Sequence, residues 1–578
     1  MTGRVGRGLA AAAVLIGAIT VLARIVGFAK QLVLARTIGT DCLSTAYYTA
    51  NLVPNVIFEI VAGGALAGMV VPVLAGSAAR TLAAGDPEPG EGEGLEAARA
   101  RTGAITSALL TWVLVLLVPA GLLVALAAGP VIGFLTGDIS GCAPGDVRAV
   151  AARMLVVFAP QIPLYGIAVV LYGVLQAHRR FAGPALAPLV SSLVVIVAYL
   201  AFVPLSHGVR EPLSAVPRPA ELALSVGTTL GVLALVVTVI GPASRLRLPL
   251  RPALRFPPGV AARVRRLAAA GLSALVAQQV ATVLVVWLAN NKVGGGALAG
   301  YTFAWAVYQV PYAVLAVPIA TSAFPVLSAR AERGDAAGFD DAAARTTRAV
   351  VLVSGLAAGA LAAVAVPVAG VFVEGMSGQV STAELARAIA LFAPGLIGFG
   401  MIAHLGRVLY AAGAGRPAAL GTVAGWLVVM AATAALVVTL PAEWRLGGLA
   451  LGGTAGMTAG GVLLLAALAR LRGGRALAGV PRAALAAVLG GAAGFLAGAW
   501  VAGRLAGGGP VADAVATVPA GLVALVASVA VAAALDRHDL LPLLGRFRRG
   551  GTPPGGARRA GEVRAGSRPT GDGSGDHG

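Results

Sequence analysis

The sequence predicts an all-α polytopic membrane protein of about fourteen transmembrane helices, with two six-helix lobes in a pseudo-twofold repeat and two further C-terminal helices. Three observations predict it. Of the 578 residues, 58% are hydrophobic and only 12% are charged, too few charges to clothe a soluble surface. Apolar runs of about 20 residues, each able to cross roughly 30 Å of hydrocarbon, recur along the chain. Basic loops alternate with neutral ones in step with those runs. The 79 glycines and 5% aromatics would make a poor soluble core but suit helices that approach closely in lipid. Lys30 and Lys292 are the only lysines, so part of the Ala, Gly and Arg excess reflects a GC-rich bacterial genome.

The first span is placed at 9–35. Met1 to Arg7 followed by "GLAAAAVLIGAITVLA" imitates a secretory leader, but the apolar run continues past Arg24 and no soluble domain follows. It reads as an uncleaved helix. The other spans follow at 45–76, 103–128, 149–176, 182–205, 222–243, 267–289, 297–327, 349–373, 384–411, 418–440, 447–469, 483–503 and 513–535.

The loops support this count. Arg4 and Arg7, Arg80, Arg99 and Arg101, Arg179 and Arg180, the seven arginines from Arg245 to Arg266, Arg330 to Arg348, Arg416, and Arg470 to Arg482 fall on one side. The loops "TIGTDCLS", "GDISGCAPGD", "NNKVGGG" and "EGMSGQVSTAE" fall on the other, with scattered Arg210, Arg218, Arg445 and Arg504. By the positive-inside rule both termini are expected in the cytoplasm. The +19 formal charge therefore reads as topology, and no nucleic-acid partner is expected, because no aromatic side chains interleave the basic clusters.

A weak internal repeat divides the chain. Tyr47, Val53, Pro54 and "VPVL" (71–74) recur as Tyr301, Val310, Pro311 and "FPVL" (324–327), and "LYGVLQAHRRFAGPAL" (171–186) recurs, shortened, as "LYAAGAGRPAAL" (409–420). The expected units are a first lobe at 1–246, a second at 247–472, two additional helices within 473–540, and a disordered cytoplasmic tail at 541–578, whose residues 550–578 lack apolar residues to bury. Repeats of this kind are a common transporter build, with substrate held between them.

No catalytic constellation stands out. His178 and His404 lack metal-ligand spacing with a second His or Cys, so no metal is expected, and no phosphate-cradling loop with a following Lys-Ser or Lys-Thr is present. The reading is of a transporter, not an enzyme. Cys42 and Cys142, the two cysteines, both fall in loops on the side opposite the arginines. There they either pair as a disulfide or remain free thiols.

The sharpest feature is "TVLARIVGFAKQLVLA" (20–35), which puts Arg24 and Lys30 inside an apolar helix. A cation far from both helix ends is costly in lipid and faces a cavity or a partner. Lys30 lies about 120° around the helix from Arg24, and a bend at Gly27 or a wide cavity would let both reach one anion. The alternative is an ion pair with Glu59. Pro311, Pro318, Pro325 and Pro394 interrupt later spans and are, with Gly27, the candidate hinges.

These residues resemble a known family. "ARIVGFAKQLVLARTIG" is similar to the first-helix signature of the lipid II flippase (MurJ, formerly MviN) family, and "LVPNVIFEIVAGGALAGMVVPVL" to its second-helix signature. "LQAHRRFAGPALAPLVSSLVVI" (175–196) resembles the family segment between helices 4 and 5, while "FPVLSARAERGD" and "RVLYAAGAGRP" resemble the corresponding second-lobe segments. The resemblance implies the fold of the multidrug and oligosaccharidyl-lipid exporter superfamily, fourteen helices with cytoplasmic ends, and a central cationic cavity that alternates between membrane faces. It implies an undecaprenyl-pyrophosphate-linked peptidoglycan precursor as substrate in the bacterial cytoplasmic membrane, bound through Arg24, Lys30, Asn55, Gln309 and Arg407.

The cavity positions depart from the family pattern. Lys30 replaces the second family arginine, Gln31 an acidic residue and Thr45 an aspartate; Phe58 and Glu59 stand where paired arginines are usual, Gly63 replaces a glutamate and Ala306 an arginine. Another polyprenyl-linked glycan or a drug is the alternative cargo, and a transport-deficient interaction protein in cell-wall assembly is the alternative role. No cofactor is expected; a coupling cation or the membrane potential is left open. Membrane lipids and cell-wall synthesis proteins complete the expected partners.

Overall fold

The computed structural model describes residues 2–60, 70, 73–74, 92–258, 260–376 and 378–537. Among them, twelve helices are long and apolar enough to cross a membrane, and thirteen if the bent pair Thr382–Phe392 and Gly395–Ala411 is one span. The predicted span 45–76 begins in the helix Cys42–Phe58; within it residues 61–69, 71–72 and 75–76, Gly63 among them, lie outside the described residues, as does the 541–578 tail.

The first lobe runs through α1 (Thr2–Ile38), α2 (Cys42–Phe58), α3 (Gly92–Leu126), α4 (Ala128–Leu135), α5 (Pro144–Phe158), α6 (Gln161–Ala177), α7 (Ala182–Ser206) and α8 (Arg218–Ser244). The second runs through α9 (Val260–Leu288), α10 (Ala297–Pro311), α11 (Val317–Glu332), α12 (Ala336–Ala363), α13 (Ala365–Val373), α14 (Thr382–Phe392), α15 (Gly395–Ala411), α16 (Gly415–Thr439) and α17 (Ala442–Arg472). Two helices follow, α18 (Val480–Leu505) and α19 (Pro510–Leu535).

The packing order repeats. In the first lobe α1 packs on α7, α2 on α5, α3 on α6, α6 on α8 and α7 on α8; in the second, α9 packs on α16, α10 on α14, α12 on α15, α15 on α17 and α16 on α17. The buried residues of three apolar clusters come from the first lobe, with Val260 of α9 the single addition. The α18–α19 pair docks on α12. Large apolar side chains face outward around the bundle, Leu126, Val197, Leu496 and Val526 among them, as lipid contact requires.

At one end of the bundle, Asp41 caps α2 by accepting from the Leu43 and Ser44 amides, and Ser381 with Glu384 forms a capping box that starts α14. Such caps satisfy the amides that a helix start leaves unpaired. Cys42 and Cys142 are joined here by a disulfide, Cα to Cα 5.7 Å. The opposite end carries the arginine-rich loops, where Arg472 pairs with Asp340 at 2.7 Å.

The expected hinges take different forms. Helix α1 passes through Gly27 without a break. Pro311 ends α10 and a single π-helical turn, Tyr312–Ala316, follows it. Pro318 lies in the first turn of α11 and Pro325 within it. Pro394 sits at the junction of α14 and α15, which are bent by 41°.

Candidate functional site

A cavity of about 430 Å³ lies between the lobes. Its first-lobe wall comes from α1 and α2, where Tyr48, Asn51, Asn55 and Glu59 recur at helical spacing and so share one face. Lys30 and Gln31 join them from α1 and Tyr165 from α6. The second-lobe wall repeats the device: Tyr301, Thr302, Trp305 and Gln309 line one face of α10, Gln278, Gln279 and Thr282 come from α9, and Trp426 from α16.

Much of the wall is held in place by its own hydrogen bonds. The Tyr48 hydroxyl donates to Gln31 Oε1 at 3.0 Å. Asn55 Nδ2 donates to the Asn51 carbonyl at 2.8 Å and its Oδ1 accepts from Tyr165 at 3.3 Å. Phe58 lies against the Tyr165 ring, centroids 4.3 Å apart. Behind them the Tyr47 hydroxyl is bonded to those of Tyr199 and Thr228 at 2.7 and 2.9 Å. On the other side Trp305, Tyr308, Tyr312, Phe392 and Phe399 form a continuous aromatic cluster.

Of the residues assigned from the sequence, Lys30, Asn55, Glu59 and Gln309 line this one cavity. Arg24 is exposed on α1 and Arg407 is half-buried on α15, bonded to the Ala403 carbonyl at 2.5 Å; neither is among the lining residues. The charges of both act on Tyr312, so each lobe brings one arginine toward that side chain. Among the described residues no ion pair joins Glu59 to Arg24 or Lys30. Lys30 and Glu59 are the ionisable Lys, Arg, Asp or Glu side chains of the lining; amides, hydroxyls and aromatic rings make up its polar face.

Sequence reasoning missed the amide, hydroxyl and aromatic residues Gln278, Gln279, Thr282, Tyr48, Asn51, Tyr165 and Trp305. Their signal was present as polar side chains at helical spacing inside apolar runs, which marks a face turned from lipid.

The cavity is sealed at the disulfide end. The Gln379 amide donates to the Thr40 carbonyl at 2.9 Å and the Val380 amide to Thr40 Oγ1 at 3.3 Å. Thr45 Oγ1 accepts from the Gly296 amide at 2.8 Å, and the Gly295 amide donates to Ser140 O at 2.9 Å. Asn290, fully buried, donates to Thr49 Oγ1 and to the Leu135 carbonyl, while Arg36 donates to the Glu374 carbonyl at 2.8 Å. These bonds join the two lobes at one end, the arrangement a two-sided transporter needs for one of its closed gates.

The comparisons with known proteins agree with this architecture. The family model described as lipid II flippase MurJ matches residues 34–507, a span that begins just after Arg24 and Lys30. A lipid II flippase MurJ from Burkholderia cenocepacia is 27% identical over 402 residues, covering 68% of this chain and 71% of the relative. Among solved structures, a lipid II flippase MurJ in an inward closed conformation is similar with a TM-score of 0.65 at 15% identity, covering 91% of this chain and all of that one. An inward-facing multidrug resistance transporter of the MATE family, in the MOP superfamily, reaches 0.59 at 16% identity, covering 79% of this chain and 98% of that chain. At such identities the structural likenesses speak for the fold, and the family match for descent: this chain is a multi-pass membrane transporter that belongs to the lipid II flippase MurJ family.

Proposed function

We propose that the chain moves an undecaprenyl-pyrophosphate-linked peptidoglycan precursor across the bacterial cytoplasmic membrane by alternating access of the interlobe cavity. The observation that carries this reading is a cavity between two repeated lobes, with a cation in its wall and one end sealed by interlobe hydrogen bonds, in a chain of this family. The charged head group is what lipid excludes; the polyprenyl tail stays in the bilayer. Arg24 and Arg407 near Tyr312 would receive the pyrophosphate, guanidinium being suited to it by its planar fork, and Lys30 would hold it further in. The neutral, aromatic and amide-rich wall supports a second reading, a polyprenyl-linked glycan with a less charged head group.

The test is complementation of a strain depleted of its lipid II flippase, with labelled precursor followed across the membrane. Arg24→Lys should retain partial transport, and Arg24→Ala and Arg24→Glu should abolish it at unchanged expression. Wild-type transport by Arg24→Ala would remove the cation from the substrate path. A wild-type chain that complements nothing while carrying another lipid-linked glycan would favour the second reading.

The same reading places the arginine-rich end and both termini in the cytoplasm and the disulfide end outside. Ser244 and Ser214 are both exposed, whereas Ser206 is buried, so the first two are the better probes. A thiol reagent applied to intact cells should modify Ser214→Cys and spare Ser244→Cys; the reverse would invert the topology.

A further inference from the structure

A second cavity of about 550 Å³ opens at the disulfide end between the lobes. The first lobe lines it with Asp41, Gly208, Arg210 and Glu211, the second with Gly375, Met376, Gly378 and Gln379. Asp41 is 3% exposed. Its Oδ1 is committed to capping α2, but Oδ2 is buried without a hydrogen-bond partner among the described residues. A buried carboxylate oxygen with nothing to accept from is costly when charged and inexpensive when protonated.

We propose that Asp41 is a proton-binding site of the interlobe seam, occupied while the disulfide end is closed and emptied when it opens. The inference rests on the alternating-access reading but not on which head group is carried. Asp41 directly precedes the disulfide-bonded Cys42, and Thr40 on its other side accepts the Gln379 and Val380 amides that close the seam. The carboxyl therefore sits on the strip of chain that must separate when the lobes part. Glu211, whose Oε1 accepts from the Cys42 amide at 3.1 Å, repels a negative charge at Asp41, while Arg210 favours one. From the second lobe the lining residues are not ionisable.

Burial, the largest cause, and then Glu211 push the Asp41 carboxyl up to about 7, against the opposing pull of its backbone hydrogen bonds and of Arg210. Opening would hydrate Asp41 and return it toward the ordinary carboxylate range, so its O–H bond breaks and the proton leaves to water on the disulfide side. The sign follows. The closed state holds the proton more tightly, so acid favours closure by about tenfold per pH unit below 7 until the open form also protonates, and the preference is lost as pH rises through 7.

Hydrogen exchange of the full chain in nanodiscs tests this without substrate, read at the Gln379 and Val380 amides and corrected for intrinsic exchange. Wild-type protection should fall between pH 5 and pH 7 and level above it. Asp41→Asn keeps a capping side chain and should stay protected at every pH, while Glu211→Gln should shift the wild-type midpoint to lower pH. Flat wild-type protection from pH 5 to 8, or a wild-type profile in Asp41→Asn, would overturn the proposal. A pH response lost in Glu211→Gln but kept in Asp41→Asn would overturn it in favour of Glu211.

Discussion

The two lobes break their helices at matching places but clothe the breaks differently. In the first, α5 ends at Phe158 and α6 begins after Ala159 and Pro160; in the second, α14 ends at Phe392 and α15 begins after Ala393 and Pro394. A carbonyl freed at each break is met by a threonine from the helix behind it. Thr229 donates to the Val157 carbonyl at 2.9 Å, and Thr454 to the Leu391 carbonyl at 2.7 Å. The bend itself differs: α14 and α15 are bent by 41°, whereas Pro144–Ala177 qualifies as one continuous span. The geometry that lets a lobe flex is therefore duplicated, while its surroundings have diverged.

The outer faces have diverged furthest. Helices α3 and α12 each break before a short continuation, at Ala127 and Val364. Counting back five and nine residues from these breaks gives Leu122 and Val118 in the first lobe, 61% and 40% exposed, and Gly359 and Gly355 in the second. There α18 lies so close that a Cβ on Gly359 would collide with the Gly491 carbonyl, and one on Gly355 would reach the Ala487 carbonyl at 3.0 Å. One lobe presents this face to lipid; the other presents it to the appended helices. Gly359→Leu should destabilise the protein by about 3 kcal/mol or more, since backbone faces backbone and neither can yield. Leu122→Gly should cost about 1 kcal/mol, the helix-propensity difference. Thermal unfolding in detergent compares the two, and equal losses would break the distinction.

The fold was legible because lipid imposes a length and a sign on each segment: twelve of the fourteen predicted spans correspond to single qualifying helices or stretches, and one to the bent pair. The repeat was legible at Tyr47 and Tyr301, which line the same cavity from opposite lobes. The two-lobed "FAP" at 158–160 and 392–394 was equally visible and went unread, because a proline within one apolar run looks like a local kink until its twin is aligned. The cavity was only partly legible. Charge draws attention to Arg24, but hydropathy cannot tell an exposed mouth position from a lining one, and neutral residues such as Gln278 and Thr282 carry no cost large enough to mark them singly.

The smaller expected effect concerns the breaks themselves. Proline at 394 withholds a backbone donor and its ring crowds the preceding turn, and Gly395 lets Thr454 approach closely, a Cβ there coming 2.9 Å from its Oγ1. In the first lobe Gln161 occupies the matching position, and its Nε2 donates to Thr229 Oγ1 at 3.0 Å, tying the break shut with a second side chain. If the bent lobe is the one that flexes during transport, Pro394→Ala should hold one facing state and remove most transport, while Pro160→Ala should leave most of it. Thr454→Val should cost about 1 kcal/mol of stability by orphaning the Leu391 carbonyl and slow transport, whereas Thr229→Val should cost a similar amount with little change in rate. Thiol accessibility at both ends of the bundle, measured beside transport, separates these outcomes. Equal loss of transport in both proline variants would mean that the lobes flex as a matched pair, and unchanged accessibility in Pro394→Ala would mean that its bend is a static kink.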